Sequence, residues 1–319
     1  MRRDYRATDS VNLLMAELKT ASRWSTSMRA YVGLVKPRII ELLLATTLPA
    51  LFLASEGWPN LGTAMATLLG GAMAAAGANV LNNVFDRDID SVMPRTHGRS
   101  LVTGQIGLGT AVALGLILSV FSVAWFAVFT TALAALLTAL AIISYVVGYT
   151  MILKRRTSQN IVWGGVAGCF PVLIGWASVT NTLTWPAWVL FLLVFFWTPA
   201  HYWPLAVSLR DDYAAAKVPM LPVVAKPRVV IKNVISYTAI TIGLSIGFYW
   251  VAGLSLVYLF GALALGALFA YSVYRLWVVV RDQPDVTFLG LTSPAMRVFQ
   301  VSIAYLAGLS LVICIDVVI

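Results

Sequence analysis

Apolar runs long enough to cross a hydrocarbon layer recur along the whole chain, separated by short polar stretches. A spanning helix needs about 20 apolar residues to cross about 30 Å, because lipid leaves every backbone N–H and C=O to be satisfied inside the segment. Nine such runs occur, at 39–54, 61–85, 108–129, 131–153, 161–179, 186–208, 229–252, 254–280 and 295–318. The pattern predicts an all-α integral membrane protein with nine transmembrane helices. No Gly/Ser-rich or Pro-rich linker interrupts them, so residues 37–319 are predicted to form a single membrane domain behind a polar segment, 1–36. That segment has neither an unbroken apolar stretch nor a small-residue cleavage site, so no secretory signal is expected there. Its 11–28 stretch suits an interfacial helix or a disordered tail.

Composition agrees: 60% of the 319 residues are hydrophobic and 11% are charged, with a mean hydropathy of +0.86, whereas soluble domains carry about 25% charged residues. The net charge of +9 would fit a nucleic-acid partner, but its placement argues against one. With nine spans, all 22 Lys and Arg fall on one side of the membrane, and the connections near 55–60, 130, 180–185 and 253 carry none. By the positive-inside rule the N-terminus is cytoplasmic and the C-terminus lies outside, which suits a multi-pass protein of the cell membrane. Cys169 and Cys314 stand singly in apolar runs, the pattern of small core residues.

Ionisable groups are costly in lipid, so carboxylates gathered at helix ends point to a site. The second run ends in Asn82, Asp86 and Asp90, spaced i, i+4, i+8, which puts three oxygen-bearing side chains on one helical face. Asn79 lies one turn earlier on the same side. Two carboxylates and an amide suit Mg2+, which is normally held by one or two carboxylates with substrate phosphates completing its shell. Asp88 points elsewhere, and its expected partners are Arg87 or Arg95. Arg95 and Arg99 follow directly and can fork onto diphosphate oxygens. A second polar cluster, Arg210, Asp211, Asp212, Tyr213 and Lys217, recurs on the same side, as does the basic stretch holding Lys154 and Arg155. Such convergence suggests an anionic, metal-bridged ligand that enters from the cytoplasm. Lys36 and Arg38 precede the first run and Glu41 lies just inside it, expected to face the same cavity. His201 sits in the sixth run between Trp197 and Trp203 and beside Pro199 and Pro204, residues that in membrane helices often mark irregular backbone along a cavity.

Taken together these residues resemble the UbiA superfamily of intramembrane prenyltransferases, and within it the protoheme IX farnesyltransferases. The superfamily's N-x-x-x-D-x-x-x-D is met by Asn82, Asp86 and Asp90. The narrower likeness rests on K-P-R-I-x-E-L-L at 36–43, D-R-D-I-D-x-x-M-x-R-T at 86–96 and L-K-R-R-T-x-Q-N-I-V at 153–162, followed by W-T-P-x-H-x-W at 197–203 and D-Y-x-x-A-x-V-P-M-L-P-V-V at 212–224. The wider superfamily's second D-x-x-x-D is incomplete, because Ala216 stands four residues after Asp212.

The resemblance implies nine helices around a central cavity, and farnesyl transfer from farnesyl diphosphate to a vinyl group of heme B, with water added and diphosphate released. It implies Mg2+ on Asn82, Asp86 and Asp90, with Asp212 as a further candidate ligand. It assigns catalytic roles to those first three residues together with Arg95, Arg99 and Lys154. Substrate binding would fall to Lys36, Arg38, Glu41, Arg155, His201, Asp211, Asp212, Tyr213 and Lys217. His201 would meet the heme, with the macrocycle between Trp197 and Trp203. Expected partners are the two substrates, the lipid bilayer, and other heme-processing or oxidase-assembly proteins. Three alternatives stand beside this reading: a UbiA-type enzyme acting on an aromatic quinone precursor, a cation-coupled transporter, and a heme-delivery protein without catalysis. A transporter would show inverted repeats, which the sequence does not display.

Overall fold

The computed structural model describes residues 28–283 and 285–319, without the side chains of Arg38 and Ile39. The segment read as an interfacial helix or a tail lies, apart from Met28, outside these residues, as does the side chain of Arg38. The described chain is helical. Helix α1 (Met28–Val35) meets α2 (Pro37–Ala54) at a 48° bend. Lys36 forms the hinge in the left-handed region, at φ 56°. The following proline disfavours the helical conformation for the residue before it, so the break is written into Lys36-Pro37. The remaining elements are α3 (Leu61–Phe85), α4 (Arg87–Val92), α5 (Leu108–Phe129) and α6 (Ala132–Ile143), which runs on as a π-helix over Ser144–Leu153. Then follow α7 (Asn160–Gly164), α8 (Val166–Thr180), α9 (Trp185–Ser208), α10 (Arg210–Ala215), α11 (Leu221–Val224), α12 (Pro227–Val251), α13 (Leu256–Asp282) and α14 (Phe288–Val318). Eight spans qualify by length and apolar character, and the bent α1–α2 pair makes a ninth. The expected multi-pass helical architecture is therefore present among the described residues.

Lipid tails are as apolar as leucine, so these helices hold together by close packing and not by the exclusion of water. The α3–α5 crossing shows how. A β-carbon on Gly77 would stand 2.7 Å from Ser119 Oγ and 3.0 Å from the Gly115 carbonyl, so the two backbones can meet only through glycine. The outer face of α5 presents Leu116, Ile117, Val120 and Phe121 to the surroundings, as a lipid-facing helix should. Trp58, Trp185 and Trp250 are exposed near the helix ends opposite Asp86 and Asp90, where amphipathic indoles favour the membrane interface. At the same remote end Asp316 of α14 accepts the N–H groups of Ser255 at 2.8 Å and Tyr258 at 2.9 Å, capping α13 and joining the two helices. The alternating course of the spans brings the ends of α3, α6, α9 and α13 and the starts of α2, α5, α12 and α14 to one side. All the charged clusters lie there.

Candidate active site

Asn82 lies on the last turn of α3, Asp86 closes that helix, and Asp90 belongs to α4. The helix pauses at Asp86 without losing register. The Asp86 N–H still bonds the Asn82 carbonyl at 2.9 Å, and the Asp90 N–H bonds the Asp86 carbonyl at 2.8 Å. All three side chains are buried, Asp86 to 1% exposure. Cations and amides surround them. Lys36 Nζ donates to Asn82 Oδ1 at 2.7 Å, and the Asn82 amide donates to Asp86 Oδ2 at 2.8 Å and to Thr150 Oγ1 at 3.0 Å. Lys154 Nζ reaches Asp86 Oδ2 at 2.5 Å, and Arg99 reaches Asp90 Oδ2 at 2.5 Å and Asn83 Oδ1 at 3.0 Å. Asn79 and Asn83 fasten the same helix to the α1 end, donating to the carbonyls of Val35 at 2.9 Å and Leu34 at 2.8 Å.

The π-helical turn supplies two of these contacts. Thr150 Oγ1 donates to the Tyr145 carbonyl at 2.9 Å and the Lys154 N–H to the Tyr149 carbonyl at 2.8 Å, each five residues back. Wider turns of this kind occur often at functional sites, and this one sets Thr150 against Asn82 and Lys154 against Asp86. No feature of the local sequence marks it. Thr150 and Asn83 were not among the expected site residues either, although Asn83 adjoins the motif.

The second cluster joins the first only in part. Arg95 Nε lies 3.4 Å from Asp212 Oδ2, and its Nη2 donates to the Tyr213 hydroxyl at 3.3 Å. That hydroxyl is 2.7 Å from the one on Tyr202. Asp211 is brought to neither cluster: its side chain is 93% exposed and pairs with the adjacent Arg210 at 2.9 Å. Lys217 is exposed at a left-handed position, φ 55°. Glu41 is exposed as well, with no hydrogen bond or ion pair among the described residues. The partner of Asp88 differs from expectation. Arg155 holds it with two bonds of 2.7 Å and also donates to the Phe85 carbonyl at 2.7 Å. The planar guanidinium reaches back across the mouth from the end of the π-helix, a fork that neither Arg87 nor Arg95 makes. These bonds hold the Asp88 carboxyl down at about 2 and push the Arg155 guanidinium up.

His201 is buried in α9, with Trp197 stacked on one face and Phe299 on the other. Trp203 turns away and meets Tyr237 edge-on at 5.3 Å. Residues 197 and 203 project from different sides of the helix, so no slot for a macrocycle opens between them. Cys169 and Cys314 are free thiols, the first buried in the core as expected and the second partly exposed.

The donor set fits a magnesium ion. Asp86 Oδ1 is buried and has no hydrogen-bond partner, an arrangement normally costly enough to need an explanation. Among the described residues no three His, Cys, Asp or Glu side chains converge. The protein thus offers two carboxylates and an amide, leaving the rest of the shell to water or phosphate oxygens, as Mg2+ prefers. Lys36, Arg99, Lys154 and Arg155 stand close enough to neutralise a polyanion arriving at the same point.

A sequence profile of the UbiA prenyltransferase family matches residues 43–299. Curated relatives are similar over nearly the whole chain. A protoheme IX farnesyltransferase of Clavibacter michiganensis is 48% identical over 90% of this chain and 92% of its own. One of Streptomyces avermitilis is 46% identical over 91% and 93%, and one of a Nocardioides species is 45% identical over 94% and 95%. Solved structures share the fold. A digeranylgeranylglyceryl phosphate synthase superposes with a TM-score of 0.73 at 16% identity, over 92% of this chain and 99% of that one. A UbiA homolog from Archaeoglobus fulgidus bound to DMAPP and Mg2+ does so with a TM-score of 0.61 at 20% identity, over 89% and 98%.

Proposed function

The chain belongs to the UbiA prenyltransferase family, and we propose that it transfers a farnesyl group from farnesyl diphosphate to a vinyl group of heme B, giving heme O and diphosphate. One observation carries the choice of substrates: relatives named protoheme IX farnesyltransferase share up to 48% identity over about nine-tenths of the chain. The reaction breaks the bond between the allylic carbon and diphosphate oxygen and joins that carbon to the outer vinyl carbon. Water then adds its hydroxyl to the inner vinyl carbon and releases a proton.

Asn82, Asp86 and Asp90 would hold Mg2+. Bound there, Mg2+ would supply positive charge to offset that of a departing diphosphate. Lys36, Lys154, Arg99 and Arg155 exchange their present carboxylate and amide partners for phosphate oxygens. Such pre-placed cations act most strongly where water is scarce, and these carboxylates are already buried. Arg95, held by Asp212 and Tyr213, guides the far side of the diphosphate. His201 faces the heme. The site lies on the cytoplasmic side of the cell membrane, where the lysines and arginines gather. Diphosphate release is the direct test. It should require heme B, farnesyl diphosphate and Mg2+ together, and release independent of heme would contradict the proposal.

A further inference from the structure

The surroundings of His201 fix which atom it offers. The Trp197 indole stacks on it at 4.2 Å and 14°, and the Phe299 ring on its other face at 4.6 Å and 27°. His201 Nδ1 lies 2.7 Å from Ser302 Oγ, which itself sits 2.6 Å from the Phe299 carbonyl. Trp197 Nε1–H donates to the Ser302 carbonyl at 2.9 Å, tying α9 and α14 at the same spot. A hydroxyl carries one hydrogen. Directed at the Phe299 carbonyl, it leaves Ser302 Oγ as an acceptor, so the imidazole proton resides on Nδ1 and the lone pair on Nε2. Nε2 makes no hydrogen bond among the described residues, and it is not among the side-chain atoms sealed inside the protein. The residue keeps 8% of its surface. With both faces and Nδ1 occupied, the ring has a single open edge.

We propose that Ser302 is a positioning residue that sets His201 to present Nε2 edge-on to the iron of the heme acceptor. The proposal rests on the reading of that acceptor as heme. An axial imidazole stands upright on the macrocycle with its edge toward the metal, the one approach that Trp197 and Phe299 leave open. A macrocycle lying flat on the imidazole would need one of those rings to move. A propionate would need a hydrogen-bond donor, and the open edge carries a lone pair. Hydrogen bonds from the second ring nitrogen commonly fix the tautomer and orientation of an iron-bound histidine, and Ser302 is placed to do this from α14.

Ferric heme B titrated into the purified full-length protein without farnesyl diphosphate separates the steps, read by the Soret band and by electron paramagnetic resonance. The wild type should give an imidazole-ligated spectrum, His201→Ala should lose it, and added imidazole should restore it in His201→Gly. Ser302→Ala should weaken heme binding about tenfold or more, while Ser302→Thr, which keeps the hydroxyl, should recover most of it. Recovery in the threonine variant also distinguishes positioning from misfolding. Heme ligation lost in His201→Ala but unchanged in Ser302→Ala would overturn the role of Ser302 alone. An unchanged spectrum in both variants would return His201 to packing. Wild-type protein that binds no heme would overturn the heme reading itself.

Discussion

Lys154 Nζ and Asp86 Oδ2 stand 2.5 Å apart although 68 residues separate them in sequence, and the carboxylate's other oxygen has no hydrogen-bond partner, with the Arg155 guanidinium 4.0 Å away. Burying an ion costs several kcal/mol even after relaxation, and breaking a buried pair costs more than forming it gains. A buried carboxylate oxygen with a cation nearby but no hydrogen bond is explained if a metal ion takes that place. Asp86→Asn should therefore cut turnover by about 10²- to 10³-fold and raise the Mg2+ concentration needed for the remainder. Folded protein should still be recovered from membranes, because Lys154 retains partial exposure and can turn toward water. Loss of folded protein in step with activity would make Asp86 a structural residue.

The two neighbouring aspartates of the second cluster should behave differently. Asp212→Asn releases Arg95 and should lower kcat/KM about tenfold or more, since charge-assisted bonds are about twice as strong as neutral ones. Asp211→Asn alters an exposed carboxylate whose partner is next to it in sequence, and should leave kinetics within about twofold. Steady-state kinetics on the two variants side by side decides the matter, and equal effects would contradict the geometry.

Asp88 and Arg155 make a pH-dependent contribution to stability. The Asp88 carboxyl is held at about 2, below its ordinary 3.8, by the Arg155 fork. A depressed folded-state value stabilises above the unfolded value, so the contribution is full above about pH 4 and fades as pH falls toward 2. The Asp88 side chain is 65% exposed, so the pair is worth under about 1 kcal/mol. Thermal melts in detergent should place Asp88→Asn slightly below wild type at pH 7, with the gap closing on acidification. A gap that widens in acid would reverse the assignment.

Gly77→Leu tests the α3–α5 crossing, which carries the proposed metal-binding face. A side chain there must displace Ser119 and the Gly115 backbone, at a cost of about 1–3 kcal/mol or more for overpacking. Lower melting temperature and poorer membrane yield are expected, and wild-type stability would show that α3 and α5 do not meet as described.

Spans and first acidic motif were legible for the same reason: apolar length and i, i+4, i+8 spacing are local properties of a helix. Asp86 and Asp90 keep that spacing through a break in α3 because the backbone bonds across Asp86 survive. What could not be read were relationships set by tertiary packing. Asp88 finds Arg155 across the mouth, and nothing in its neighbourhood in sequence distinguishes that partner from Arg87 or Arg95. The π-helical turn before Lys154 is equally hidden, since one extra residue per turn leaves no compositional mark. The Trp197 and Trp203 pair misled because the short spacing suggested a slot, whereas helical geometry turns Trp203 toward Tyr237.

Whether heme B is the farnesyl acceptor shows in the mass of the extracted heme. Membranes containing the protein would receive heme B, an aromatic quinone precursor, farnesyl diphosphate and Mg2+ in water enriched in oxygen-18. The expected product is a heme heavier by one farnesyl group and one water, with the heavy oxygen in the new hydroxyl, and no prenylated aromatic compound. Unchanged heme B alongside a prenylated aromatic acceptor would contradict it.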